Sequence, residues 1–170
     1  MQRLILVTGG ARSGKSRIAE ERVLLGCAGQ QAQYIATAQA WDGEMRARIA
    51  EHQARRGPEW VTTAAPLDLI GALDATNGMG PRLVDCLTLW LTNLILNEKD
   101  WRLAATALLA ALPRQRGLIV FVTNEVGMGI VPDNALARVF RDAAGTLNQM
   151  VAQAADDVIL AVSGLPLKVK

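Results

Sequence analysis

Short apolar runs alternate along this chain with longer stretches in which apolar residues recur at helical spacing. RLILVTG (Arg3–Gly9) predicts a strand ending in glycine, and residues 13–26 predict a helix, with Ile18, Val23 and Leu25 among charges and Gly26 as a stop. QYIAT (33–37) predicts a second strand. Residues 42–58 predict a helix with an aspartate near its start and Gly-Pro at its end. WVTT (60–63), RLVDCL (82–87), LIVFVTN (118–124) and VILAVS (158–163) read as further strands, with helices over 88–98, 101–112 and 135–157. Continuously apolar strands with helices between them describe an α/β fold: a mostly parallel sheet with helices on both faces. No repeat, low-complexity segment or long linker divides the chain, so residues 1–170 are expected to form a single domain.

Composition narrows the classes. Of 170 residues, 51% are hydrophobic and 20% charged, which excludes a disordered chain. A net charge of +2 argues against a broad nucleic-acid footprint, so no nucleic-acid partner is expected. The two cysteines, Cys27 and Cys86, fit no zinc spacing and sit beside apolar stretches. They read as reduced core residues of a cytoplasmic protein. The N-terminus lacks a signal peptide's apolar centre. The longest apolar stretch, 87–96, is interrupted by Thr88, Thr92 and Asn93 and is too short for a membrane span.

The strongest local chemistry lies in GGARSGKS: Gly9, Gly10, Ala11, Arg12, Ser13, Gly14, Lys15 and Ser16. A glycine, four residues and Gly-Lys-Ser form the phosphate-loop pattern, and here a strand precedes it and a helix follows. Gly9 and Gly14 permit close backbone approach. The amides from Ala11 to Ser16 then face phosphate oxygens at a positive helix end. Lys15 can reach the β and γ phosphates, and Ser16 can ligate Mg2+. Nucleoside triphosphate binding follows. Such loops work with a magnesium carboxylate at a neighbouring strand's end, and Asp85 fits, with a helix cap as its other reading. Glu125 also ends an apolar strand, where open α/β sheets place their sites. It reads equally as a base or substrate contact and as a loop residue.

His52 is the chain's one histidine. On a helix it shares an inward stripe with Met45 and Ile49, with Arg48, Arg55 and Arg56 around it. One reading is an ordinary surface helix laced by Glu44–Arg48 and Glu51–Arg55 pairs, its histidine satisfied by a carbonyl. The other starts from the cations. They disfavour protonation, leaving a neutral imidazole that can attack phosphorus and form a phosphoramidate beside a bound triphosphate.

GGARSGKSRIAE, YIATAQAWDGEMRARIAEHQARR, DCLTLWLTNL, VTNEVGMGIVPDNALARVFRDAAGTLNQ and ADDVILAVSGLPLKVK together resemble the bifunctional adenosylcobinamide kinase / adenosylcobinamide-phosphate guanylyltransferase family of cobalamin biosynthesis. The resemblance spans residues 4–170, and HQARR and VTNEVGMGIVP are its most specific parts. It implies a RecA-like phosphate-loop fold and a homotrimer. It also implies transfer of a γ-phosphate from ATP or GTP to the aminopropanol hydroxyl of adenosylcobinamide. Transfer of GMP from GTP to that phosphate follows, through GMP bonded to histidine. Carried onto this chain, His52 is the nucleophile, and Lys15 and the loop hold the triphosphate. Thr37, Ala38 and Gln39, then Gln53, Ala54, Arg55 and Arg56, match nucleotide contacts. Asp85 matches the acidic residue at the third strand's end. The family often has a glutamate where this chain has Ala64 and Ala65. Arg138, Arg141 and Asp142 are candidates for the corrinoid. The alternatives are a phosphate-loop kinase of another small alcohol or nucleotide, with His52 structural, and a nucleotide-dependent regulatory switch.

Overall fold

The computed structural model describes residues 3–40 and 56–170 and, between them, Gly43, Arg46, Ala47, Ala50 and Ala54. Its elements are β1 (Arg3–Gly9), α1 (Lys15–Leu25), β2 (Ala32–Ala36), β3 (Trp60–Ala64), α2 (Leu69–Ala75), β4 (Arg82–Asp85), α3 (Leu87–Leu96), α4 (Trp101–Ala111), β5 (Leu118–Val122), α5 (Ala135–Ala154), β6 (Asp157–Val162) and β7 (Leu165–Lys168). The described strands form one sheet in the order β3-β2-β4-β5-β1-β6-β7. Every pairing is parallel except β6 with β7.

Strand periodicity sorts the core into two layers. Leu4, Leu6, Ile35, Val84, Ile119 and Phe121 point to the face covered by α2, α3, α4 and α5. The intervening Ile5, Val7, Tyr34, Leu83, Val120 and Val122 point to the other face, where α1 lays down Ile18, Ala19 and Val23. The predicted cover on both faces is present, but among the described elements it is uneven. Each buried Leu, Ile or Phe side chain contributes roughly 1.5–3 kcal/mol. Both cysteines are free, Cys86 buried and Cys27 half-buried, as their apolar neighbours imply.

Two elements have no counterpart in the sequence reading. The helix α2 begins at Asp68, whose carboxylate accepts from the Gly71 amide at 2.8 Å. The strand β7 returns through Ser163 (φ 51) and Gly164 (φ 81), a left-handed pair that suits a tight hairpin. The long helix stops at Ala154 rather than at 157, because Asp156 and Asp157 are recruited by strand ends. Asp156 accepts from the Leu4 amide at 2.7 Å. Asp157 bonds Arg3 and Lys168 at 2.8 and 2.6 Å.

RLVDCL also hides a charge. Arg82 opens β4 fully buried and donates to the Leu73 carbonyl at 2.9 Å, to Gln115 Oε1 at 2.5 Å and to the Arg116 carbonyl. Burial lowers its pKa to about 10, and those acceptors hold it in place. The fork ties α2 and the turn before β5 to the sheet, at the end away from the glycine loop.

Candidate nucleotide site

The phosphate loop is built where the β1 backbone turns into α1. Two glycines are required by contact. A Cβ on Gly9 would stand 2.6 Å from Ser13 Oγ and 2.8 Å from the Ala161 carbonyl. Gly14 caps α1 at φ 90, and a Cβ there would stand 2.9 Å from Gly164 Cα. Arg12 also takes a left-handed φ of 54. The helix bonds begin with the Ile18 amide on the Gly14 carbonyl, at 3.1 Å. The earlier amides of the first turn therefore have no partner within the helix. Among the described residues no side chain caps this end, and the hydroxyls of Thr8 and Ser13 are buried without a partner. A helix end with open amides is a ready anion site. Lys15 Nζ reaches back to the Gly10 carbonyl at 2.9 Å, so its ammonium lies over the loop.

The loop is braced from the adjoining β6–β7 hairpin. Gly164, in the β6–β7 turn, donates its amide to the Ser13 carbonyl at 2.9 Å. Its own carbonyl accepts from Arg17 at 2.7 Å. This hairpin is functional scaffolding that the sequence reading missed. The Ser163-Gly164 pair was the available signal.

Asp85 sits at the end of β4, with β5 between it and β1. Register places Val7, Val122 and Asp85 in one row, so Asp85 is roughly 10 Å, two strand spacings, from β1. One carboxylate oxygen accepts from the Tyr34 phenol at 2.8 Å. Burial, with the Asp85 charge beside it, pushes the Tyr34 phenol well above its ordinary pKa, so it remains a donor. Arg56 stacks 3.7 Å over the same ring and Trp60 meets it edge-on. Among the described residues Asp85 Oδ1 accepts no hydrogen bond, and Ser16 stands on the first turn of α1. Among the described residues no group of three or more His, Cys, Asp or Glu could hold a metal unaided.

Thr37 is fully buried and internally engaged. Its hydroxyl donates to the Cys86 carbonyl at 2.7 Å and accepts from the Cys86 amide at 2.8 Å. Its carbonyl, like that of Pro66, accepts from Asn93 at 2.8 Å. Thr37 thus joins the ends of β2 and β4 to α3, while Ala38 and Gln39 continue half-buried into the following turn. Burial pushes the Cys86 thiol up to about 12, which leaves it inert at neutral pH. Arg138 closes the loop before α5 by donating to the Pro132 and Asp133 carbonyls, and Arg141 pairs with Asp142 at 2.8 Å. His52, Gln53, Arg55 and Arg48, with Met45 and Ile49 of the predicted stripe, lie outside the described residues. Ala54 is helical and exposed, as are Gly43, Arg46, Ala47 and Ala50.

A strand, a glycine loop and a helix, with an aspartate one strand removed, define a phosphate-loop nucleotide-binding protein of the RecA-like α/β type. Solved structures share that fold. The flagellar accessory protein FlaH of Methanocaldococcus jannaschii superposes with a TM-score of 0.55 at 12% identity, over 93% of this chain and 70% of its own. A type III secretion ATPase superposes at 0.58 and 12% identity, over 98% and 56%. The bacteriophage phi6 P4 protein, solved with ADP, gives 0.51 at 15% identity, over 97% and 54%.

The chain belongs to the cobinamide kinase / cobinamide phosphate guanyltransferase family, whose model matches residues 5–169. The bifunctional adenosylcobalamin biosynthesis protein CobP of Pseudomonas aeruginosa is 49% identical over 97% of this chain and 96% of its own length. The corresponding proteins named CobU from Salmonella typhimurium and Escherichia coli are 46% and 45% identical, each over 98% of this chain and 99% of their own.

Proposed function

We propose that this chain is a bifunctional enzyme of cobalamin biosynthesis that phosphorylates the aminopropanol hydroxyl of adenosylcobinamide with ATP or GTP. It then moves GMP from GTP onto that phosphate, giving adenosylcobinamide-GDP and pyrophosphate. The observation that carries this reading is the family match over residues 5–169, on a chain whose glycine loop is shaped for phosphate.

Phosphoryl transfer is mostly positioning and charge neutralisation. The first-turn amides and Lys15 orient the triphosphate. Ser16 and Asp85 would hold magnesium, which supplies further neutralisation at the β and γ phosphates when bound. For the second reaction the nucleophile is His52. Its neutral nitrogen attacks the α-phosphorus and displaces pyrophosphate. The phosphoramidate then yields GMP to the phosphate of the acceptor. Arg48 and Arg55 balance charge on the displaced phosphates. Gln53, Ala54 and Arg56 contact the nucleotide from the same segment. Because Thr37 is held internally, contacts from the β2 turn fall to Ala38 and Gln39.

One domain carries both reactions, in a homotrimer in the cytoplasm. No helix among the described residues is long and apolar enough to cross a membrane. A subunit contact is supported by exposed apolar side chains close in sequence: Met128 and Ile130 in the loop before α5, and Leu136 and Val139 on its first turns. Light scattering should read three times the 18.2 kDa chain mass, and a monomer would remove the trimer from this reading.

GTP labelled on its α-phosphate tests the intermediate. The protein should acquire an acid-labile label that His52→Asn abolishes. A label retained by that variant would sink the histidine assignment.

A further inference from the structure

We infer that Glu125 is the general base of the kinase step, taking the proton of the acceptor hydroxyl, and that it has no part in guanylyl transfer. This rests on the kinase reading above.

The placement comes from the backbone. Parallel pairing of β1 and β5 continues beyond the strand ends: the Thr123 amide donates to the Val7 carbonyl at 3.0 Å, and the Glu125 amide to the Gly9 carbonyl at 3.0 Å. Glu125 is thereby pinned beside the first glycine of the phosphate loop. Because β5 lies between β1 and β4, it also stands between that loop and Asp85. The strand end beneath it is held firmly. The Asn124 amide donates to the Thr88 hydroxyl at 2.7 Å, the Thr123 hydroxyl donates to Asn148 Oδ1 at 2.7 Å, and Asn148 Nδ2 donates to the Asn124 carbonyl at 3.2 Å.

The carboxylate itself is lightly held. Among the described residues its hydrogen bond is from the Gly127 amide, at 2.6 Å to Oε1. A Cβ on Gly127 would stand 3.0 Å from that oxygen, so the glycine lets the amide come close. Oε2 keeps its acceptor capacity. The side chain is half-buried. Among the described residues, Asp85 at the end of β4 already accepts from Tyr34 and is the proposed magnesium ligand. Lys15 donates to the Gly10 carbonyl at 2.9 Å.

In the step, the acceptor hydroxyl oxygen bonds to the γ-phosphorus, and the bond from that phosphorus to the β,γ-bridging oxygen breaks. The electron pair leaves with the nucleoside diphosphate, and the hydroxyl proton passes to Glu125, which later returns it to water. Positioned general bases contribute roughly 10²–10⁴-fold. Attack by the neutral His52 imidazole on the α-phosphorus releases no proton from an alcohol, so that reaction has no need of this base.

Glu125→Gln separates the roles. Phosphorylation of adenosylcobinamide should fall by roughly 100-fold or more in kcat, with KM little changed. Mg-GTP affinity and the label acquired from α-labelled GTP should stay at wild-type levels. Formate should restore part of the kinase rate to Glu125→Ala, the smaller side chain leaving room for an external carboxylate. An unaffected Glu125→Gln kinase rate would overturn the proposal. So would an equal loss of label and kinase activity with weaker nucleotide binding, which would assign Glu125 to holding the loop. Absence of kinase activity in the wild-type chain would instead strike the function proposed above.

Discussion

The Tyr34 phenol donates to the Asp85 carboxylate across 2.8 Å, from β2 to the end of β4. Ala36 is the register partner of Asp85, so Tyr34 reaches it diagonally along the same face. One side chain therefore fixes the rotamer of the proposed magnesium ligand while remaining in the core.

Tyr34→Phe should leave the fold intact and loosen that carboxylate. Loss of a hydrogen bond to a charged group should cost about 1.5–3 kcal/mol of stability, read as a shift in the urea midpoint. The Mg2+ concentration for half-maximal activity should rise several-fold, while nucleotide binding in EDTA stays unchanged. If the magnesium dependence did not move, Tyr34 would be a packing residue alone.

Gly14 and Gly10 should respond oppositely to alanine. At Gly14 the φ of 90 and the 2.9 Å approach to the Gly164 backbone strain any side chain, at a cost of about 1–3 kcal/mol. At Gly10 a Cβ meets nothing within 4 Å, so the change should lie within about 0.5 kcal/mol. Denaturant midpoints of the two variants decide this. Equal destabilisation would show that the hairpin does not brace the loop.

Asp157 should confer acid sensitivity. Hydrogen bonds from Lys168, then from Arg3, hold its pKa below the ordinary carboxylate value. A lowered folded pKa means its contribution is complete above the unfolded value, about 3.9, and is lost as pH falls through the folded one. Unfolding midpoints measured between about pH 2 and 5 should fall less steeply for Asp157→Asn than for the natural chain. Parallel curves would show that the pair with β7 adds no acid-linked stability.

The glycine loop and the strand-end positions of Asp85 and Glu125 were legible because each rests on local chemistry: backbone freedom, a helix terminus, a charge after an apolar run. The partners were not. Tyr34 reads in sequence as one aromatic residue in a strand, and its tie to Asp85 exists because β2 and β4 pair across 51 residues. Arg82 reads as the polar start of an apolar run. Its burial follows from α2 and the turn before β5 closing around it. The helix ends earlier than its pattern suggests because Ala155 and its neighbours suit a helix by propensity, while Leu4 and Arg3, the partners of Asp156 and Asp157 on β1, lie more than 150 residues away.

By itself, then, the sequence determined the alternation of strands and helices, the anion-binding loop and the residues with the chemistry for phosphoryl transfer. These depend on side-chain period and on contacts within a few residues. Strand order was decided only by the tertiary structure. That order put Glu125 beside Gly9 and between the loop and Asp85, and it set the Ser163–Gly164 turn against Gly14. The reason is physical: hydrogen bonds between strands carry no side-chain code, so neighbours in the sheet are chosen by packing the whole core at once.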